Sequence, residues 1–212
     1  MQNVMPSHDG VAARIAAQTA ARRTNYHSEV RALLDAALKV IVDGGTDARA
    51  RVSDIVAVAG LSNDTFYRHF PSKDALIAAL VEDGSERAAA HIGRRMAQEH
   101  DPGAQVKRWL DGVLAQTEGT NAETTLAVLW NSVNLTSAIP IGSQVSKRPL
   151  AKLLHAPFAE LRSADPELDA ELVTQAVIGR VAGHLWAKTT PSRAEAEHLL
   201  QFCLSVPRAC VP

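Results

Sequence analysis

Between positions 62 and 73 the chain sets out Ser62, Asn63, Thr65, Tyr67, Arg68, His69 and Lys73, a run of hydroxyls, one amide, one imidazole and two cations. Tyrosine and threonine hydroxyls and a lysine ammonium are phosphate partners, whereas an arginine can give two parallel N–H bonds to a guanine edge. The chemistry on offer is therefore recognition of a nucleic-acid surface. Arg49 and Arg51, a little upstream, read either as further phosphate contacts or as plain solvated cations. Asp64 is the discordant member, since a carboxylate repels phosphate. It either supports the positive end of a helix or accepts from a cytosine amino group.

Such groups act together only if one short helix carries them, and the flanking residues supply it. Val52, Ile55, Val56 and Ala59 recur at the spacing of one buried helical face. Gly60 ends that helix, because glycine tolerates the left-handed conformation of a helix end. Ser62 follows as an N-cap, and Phe66 and Phe70, four apart, share the next helix's inner face. A helix, a glycine turn and a polar-fronted second helix make the pattern of a DNA-binding helix-turn-helix. A merely structural hairpin has no reason to cluster Thr, Tyr, Arg, His and Lys on the outer side of a short helix.

The remaining composition limits the alternatives. The chain has 212 residues, 46% hydrophobic and only 4% aromatic, a balance that favours helices, and no long run of alternating β-branched residues suggests a sheet. Net charge is −1, with nine Lys/Arg against eight Asp/Glu in residues 1–75 and thirteen against fifteen thereafter, so positive charge for a nucleic acid has to be arranged locally. Cys203 and Cys210 have no metal-ligand companions, which points to a reduced, cytoplasmic protein. No signal peptide and no apolar span of about 18 residues is present, so no membrane partner is expected. The eight His are scattered, with no HExxH, P-loop or GxGxxG, and there is one Glu-x-x-His pair, Glu195 and His198, where a di-iron bundle needs two such pairs and two further Glu. No catalytic residue, metal or cofactor is expected, and a helical-bundle enzyme is the remote alternative.

Residues 1–23 lack an apolar stripe and carry Pro6 and Gly10, reading either as a frayed extension or as a basic arm whose Arg14, Arg22 and Arg23 reach DNA. Thr24 or Asn25 can cap a first helix over about 25–43, ended by Asp43, Gly44 and Gly45. Ser72 restarts a helix that extends towards His100, with Gly84 and Gly93 weakening it. Asp101-Pro102 and Asp165-Pro166 are N-cap-plus-proline starts, and Thr190-Pro191 reads as a third. A helix from about 120 carries Leu126, Leu129 and Trp130; residues 137–146 read as a loop, and Pro157 is expected to kink or end a helix over 147–162. The whole makes about nine helices.

Gly60–Leu76, GLSNDTFYRHFPSKDAL, resembles the DNA-binding head of the TetR/AcrR family of bacterial transcriptional regulators, through the spacing of Gly60, Ser62, Thr65, Phe66, Tyr67, Phe70, Lys73 and Leu76. The resemblance covers about 50 residues; beyond it the chain matches in helix count, length and the ending FCL at 202–204. One departure stands out: Arg51 replaces the usual Thr or Ser before the second helix and cannot cap it. The resemblance implies an all-α chain with an extension at 1–23, a three-helix DNA-binding head at 24–71 and a ligand-binding and dimerisation domain at 72–212. It implies a recognition helix at 63–70, with Thr65, Tyr67 and His69 facing DNA and Lys73 facing a phosphate. It further implies a homodimer built from the last two helices, with Ala176, Gly179, Gly183 and Phe202 at the seam. A small-molecule effector would sit among the middle helices, where Trp109, Trp130, Asn131, Asn134 and Phe158 combine aromatic walls with placed amides. The expected function is a repressor on a pseudo-palindromic double-stranded operator, released by that effector; the alternative is a DNA-binding regulator with no inducer.

Overall fold

The computed structural model describes residues 8–132 and 148–208. Nine α-helices run through them in the order α1 (His8–Gly44), α2 (Val52–Ala59), α3 (Asn63–His69), α4 (Lys73–Met96), α5 (Pro102–Leu114), α6 (Gly119–Ser132), α7 (Arg148–Glu160), α8 (Pro166–Ala187) and α9 (Arg193–Ser205), and none of the described residues forms a strand. Among the described residues no helix is long and apolar enough to cross a membrane.

Polar caps set most of the helix starts. Ser62 accepts from the Thr65 N–H, Ser72 from Ala75, Asp101 from Ala104 and Asp165 from Leu168, each hydroxyl or carboxylate satisfying a donor that the first turn leaves open. Gly60 closes α2 in the left-handed conformation, at φ 66°. Arg51 stands at the N-cap of α2 and makes no capping bond.

Two boundaries differ from expectation, the start of the first helix and that of the last. The first helix begins at His8 rather than near residue 25, so Thr24 and Asn25 lie inside it and not at its start; residues 1–7 lie outside the described residues. Helix α4 runs unbroken through Gly84 and Gly93, because Leu80, Ala89, Ile92 and Met96 bury its inner face and outweigh two weak formers. Pro157 is buried inside α7, which continues to Glu160. Ser192, not Thr190, caps the last helix. The expected loop at 137–146 and Cys210 lie outside the described residues.

Two apolar clusters hold the chain. The first joins Leu33, Leu34, Ala37 and Ile41 of α1 to Ile55, Phe66, Phe70, Leu76, Ile77 and Leu80. The second joins α4 and α5 to α7, α8 and α9 around Trp109, Leu110, Leu154, Phe158, Val173 and Val177. Helix α4 serves both, and α6 contributes Ala127 to the first and Leu126 and Leu129 to the second.

Candidate nucleic-acid interface

Phe66 is fully buried and Phe70 nearly so, and that anchorage turns the opposite side of α3 outward. Asn63, Asp64, Tyr67 and Arg68 are exposed there, Tyr67 at 57%, with its ring edge-on to Phe66 at 5.1 Å. Thr65 is half-buried, its Oγ1 lying 3.1 Å from Ser62 Oγ, so the cap and the hydroxyl form one small polar group at the head of the helix. Lys73 is the first residue of α4, immediately after the capping Ser72. Arg49 and Arg51 are exposed on the segment that leads into α2. Of the nine expected interface residues the structure therefore gathers Ser62, Asn63, Thr65, Tyr67, Arg68 and Lys73 along α3 and the start of α4, with the two arginines beside α2.

His69 goes the other way. Its side chain is 1% exposed and its Nε2 lies 2.6 Å from a carboxylate oxygen of Glu29, on α1, while the ring of Tyr26 meets it edge-on at 4.6 Å. The expectation that His69 faces DNA is corrected: on α3 it lies three positions beyond the buried Phe66, close to the inward stripe. Arg68 stays exposed at 60%, yet its Nη2 donates to the same Glu29 oxygen at 2.7 Å. The two donors hold the Glu29 carboxyl below its ordinary range, the His69 bond first and the Arg68 bond second. Nothing in the sequence marks Glu29, which lies 39 residues before Arg68.

A second ionic link fixes α1 against α4. Arg31 donates to Asp35 at 2.6 Å and to Asp83 at 2.9 Å, and Asp83 also pairs with Arg87. The link between α1 and α2 is tied to α6: the Ala50 N–H donates to Asn131 Oδ1 at 3.2 Å, and Asn131 Nδ2 donates to the Ala127 carbonyl at 3.0 Å. Asn131 thus spends its amide on the fold.

The expected effector residues separate in the same way. Trp109 and Phe158 are fully buried in the second cluster, and the Trp109 indole N–H donates to the Leu150 carbonyl at 3.0 Å, so both are core. Trp130 pairs with Trp186 at 6.0 Å, and Asn134 lies outside the described residues. None of Trp109, Trp130, Asn131 and Phe158 lines the cleft of about 490 Å³ that opens between Gly45 and Thr46, the α6 residues Gly119, Ala122, Glu123, Leu126 and Ala127, and the end of α8 at His184, Leu185 and Lys188. Cys203 is buried and its thiol is pushed up to about 12 by that burial, which leaves it unreactive. Among the described residues no group of three His, Cys, Asp or Glu could hold a metal ion.

On α8, Ala176, Gly179 and Gly183 are exposed, and a methyl group added at either glycine would meet nothing within 4 Å. Leu168, Leu172 and Trp186 on that helix are exposed as well, at 51%, 52% and 45%, and Phe202 of α9 at 37%.

Residues 33–80 match the family model of bacterial regulatory proteins, tetR family. Over 69 residues the chain is 41% identical to YvdT, an HTH-type transcriptional regulator of Bacillus subtilis (strain 168); the match takes in 32% of this chain and 35% of that relative's length. The whole fold is similar to that of the fatty acid degradation regulator FadR from Bacillus halodurans, with a TM-score of 0.57, 18% identity and coverage of 86% of this chain and 99% of the other. It is similar also to a TetR-family transcriptional regulator from Pectobacterium atrosepticum, with a TM-score of 0.56, 19% identity and coverage of 89% and 95%. The matched segment falls on the capped helix-turn-helix, so residues 33–80 form a DNA-binding head of the kind that the TetR family of transcriptional regulators carries, and the chain as a whole has a fold similar to those solved regulators.

Proposed function

We propose that the protein is a homodimeric repressor that binds a pseudo-palindromic DNA operator and is released by a small molecule. The observation that carries the DNA part is the outward band of Asn63, Tyr67 and Arg68 on α3, continued by the Ser62 and Thr65 hydroxyls and by Lys73. Hydroxyls and the ammonium suit phosphate oxygens and fix register, whereas Arg68 suits a guanine edge. Arg49 and Arg51 are the outer phosphate contacts. A protein acting on bacterial DNA works in the cytoplasm.

The dimer reading is supported by Leu168, Leu172, Ala176, Gly179, Gly183 and Trp186, whose spacings of four, four, three, four and three make one exposed face of α8. Phe202 extends it onto α9. An apolar helical face left in water marks an interaction surface, and its small residues let a second helix approach closely. Two copies would set their recognition helices in successive major grooves, about 34 Å apart. The 490 Å³ cleft has the size of a small-molecule site. Its walls belong to the link entering the head, to α6 and to the end of α8, so a ligand with unequal affinity for two head placements would shift their populations.

Selection of duplexes from a random double-stranded pool, followed by binding titrations and sedimentation, tests the whole reading. Enrichment of an inverted repeat bound by a dimer is the expected result. A pool that yields no enriched sequence, or a protein that sediments as a monomer at binding concentrations, refutes it. Failure of every compound in a metabolite panel to release the enriched duplex would leave a regulator without an inducer.

A further inference from the structure

Glu29 lies on α1, outside the helix-turn-helix, and a single oxygen of its carboxylate holds both Arg68 and His69 of the recognition helix. A carboxylate only accepts, so His69 donates through Nε2, and the buried Nδ1 is left with no hydrogen-bond partner. With Tyr26 against its ring, the imidazole sits as a wedge between α1 and the end of α3. Arg68 is held differently. Its side chain remains 60% exposed, and the bond to Glu29 engages Nη2. A guanidinium carries five N–H donors, so one arm bound to a carboxylate leaves a pair for the two acceptors of a guanine edge.

An exposed ion pair adds little to stability. What it adds here is orientation: an arginine free in water loses much of its rotamer freedom on binding, whereas one already held by a fixed carboxylate loses less. We infer that Glu29 is a positioning residue for base recognition, which sets Arg68 towards a guanine edge and ties the end of the recognition helix to α1 through His69. The inference rests on the proposed reading of Arg68 as a base contact. Because a carboxylate near DNA also repels phosphate, its removal does not weaken binding to DNA in general.

The test uses the full-length protein and the duplex it enriches from a random pool, with a second duplex altered at the base pair whose preference Arg68→Ala abolishes. Glu29→Ala is expected to lose about tenfold of the preference for guanine at that same base pair, within the range of one bidentate base contact, with affinity for unselected DNA held or raised. In the Arg68→Ala background Glu29→Ala adds no further loss of preference, since the two act through one contact. Glu29→Gln keeps an acceptor and most of the preference, and serves as well if Glu29→Ala folds poorly by thermal unfolding. Full preference in Glu29→Ala where Arg68→Ala has lost it overturns the inference, as does an equal loss on all duplexes, which is the signature of a structural role. A sharpened preference overturns it too, since Glu29 would then be a competitor for Arg68. If Arg68→Ala keeps full preference, or the wild type enriches nothing, the failure lies in the underlying reading of Arg68 or of DNA binding, and the role of Glu29 falls with it.

Discussion

Tyr67 and His69 stand two positions apart on one short helix and face opposite ways, and that difference decides what each can do. Tyr67 is exposed with its hydroxyl in water, so Tyr67→Phe should weaken binding to every duplex alike while leaving stability unchanged. Lys73→Ala should do the same and lower the slope of log affinity against log salt by about one, measured by titration across a salt series. Unchanged affinity in both variants would remove the phosphate role. The Glu29 carboxyl is held below its ordinary value of 4.5, so the folded state releases its proton more readily than the unfolded chain does. Its contribution to stability is thus fully present above that ordinary value and lost as pH falls through the lowered one. Denaturant unfolding across the acid range should show Glu29→Gln losing less stability than the wild type as pH drops through this window. Equal losses in both would show that the pair carries no linkage. The hydroxyls, the cations and the capping serine were legible because their chemistry is local. Glu29 was not, since its two partners are brought to it by the packing of α3 on α1.

At the scale of the element, the four helix starts capped by Ser62, Ser72, Asp101 and Asp165 could be read directly, because a cap and its N–H partner lie three residues apart. Where tertiary burial outweighed propensity, as along α4 through Gly84 and Gly93, the sequence alone understated the helix. Close approach of two helices was equally hidden. A methyl group at Gly112 of α5 would come within 2.6 Å of Ile92 on α4, so Gly112→Ala should cost about 1–3 kcal/mol in chemical denaturation as the two helices are forced apart. A cost near zero would mean that Ile92 turns aside freely. On α8, Leu172→Glu places a charge in the exposed apolar face without disturbing the core. Sedimentation should then show monomers and DNA affinity should fall, while helix content by circular dichroism stays the same. A dimer that persists would move the interface elsewhere.

Across the whole molecule, α6, like α4, belongs to both apolar clusters, and Asn131 is its fastening to the head. Asn131→Leu leaves the buried Ala50 N–H without an acceptor, a loss of about 1–3 kcal/mol expected in thermal or denaturant unfolding. The cleft between the α1–α2 link, α6 and the end of α8 lies beside this fastening, so the same change should also alter the concentration of effector needed to release DNA. Release that is indifferent to Asn131 would place the coupling on another path, such as the Arg31 and Asp83 pair between α1 and α4.

By itself the sequence determined the helical class, the head, its turn and caps, and the polar band on α3, since each rests on residues within a few positions of one another and on the 3.6-residue period. Tertiary structure alone decided what the large and amide side chains do. Trp109 and Phe158 became core, and Asn131 became a tie between units, because burial and partners depend on helices far apart in the chain. It alone also turned His69 inward and set Glu29 against Arg68. Those contacts span about forty positions, and no local spacing encodes a contact of that length.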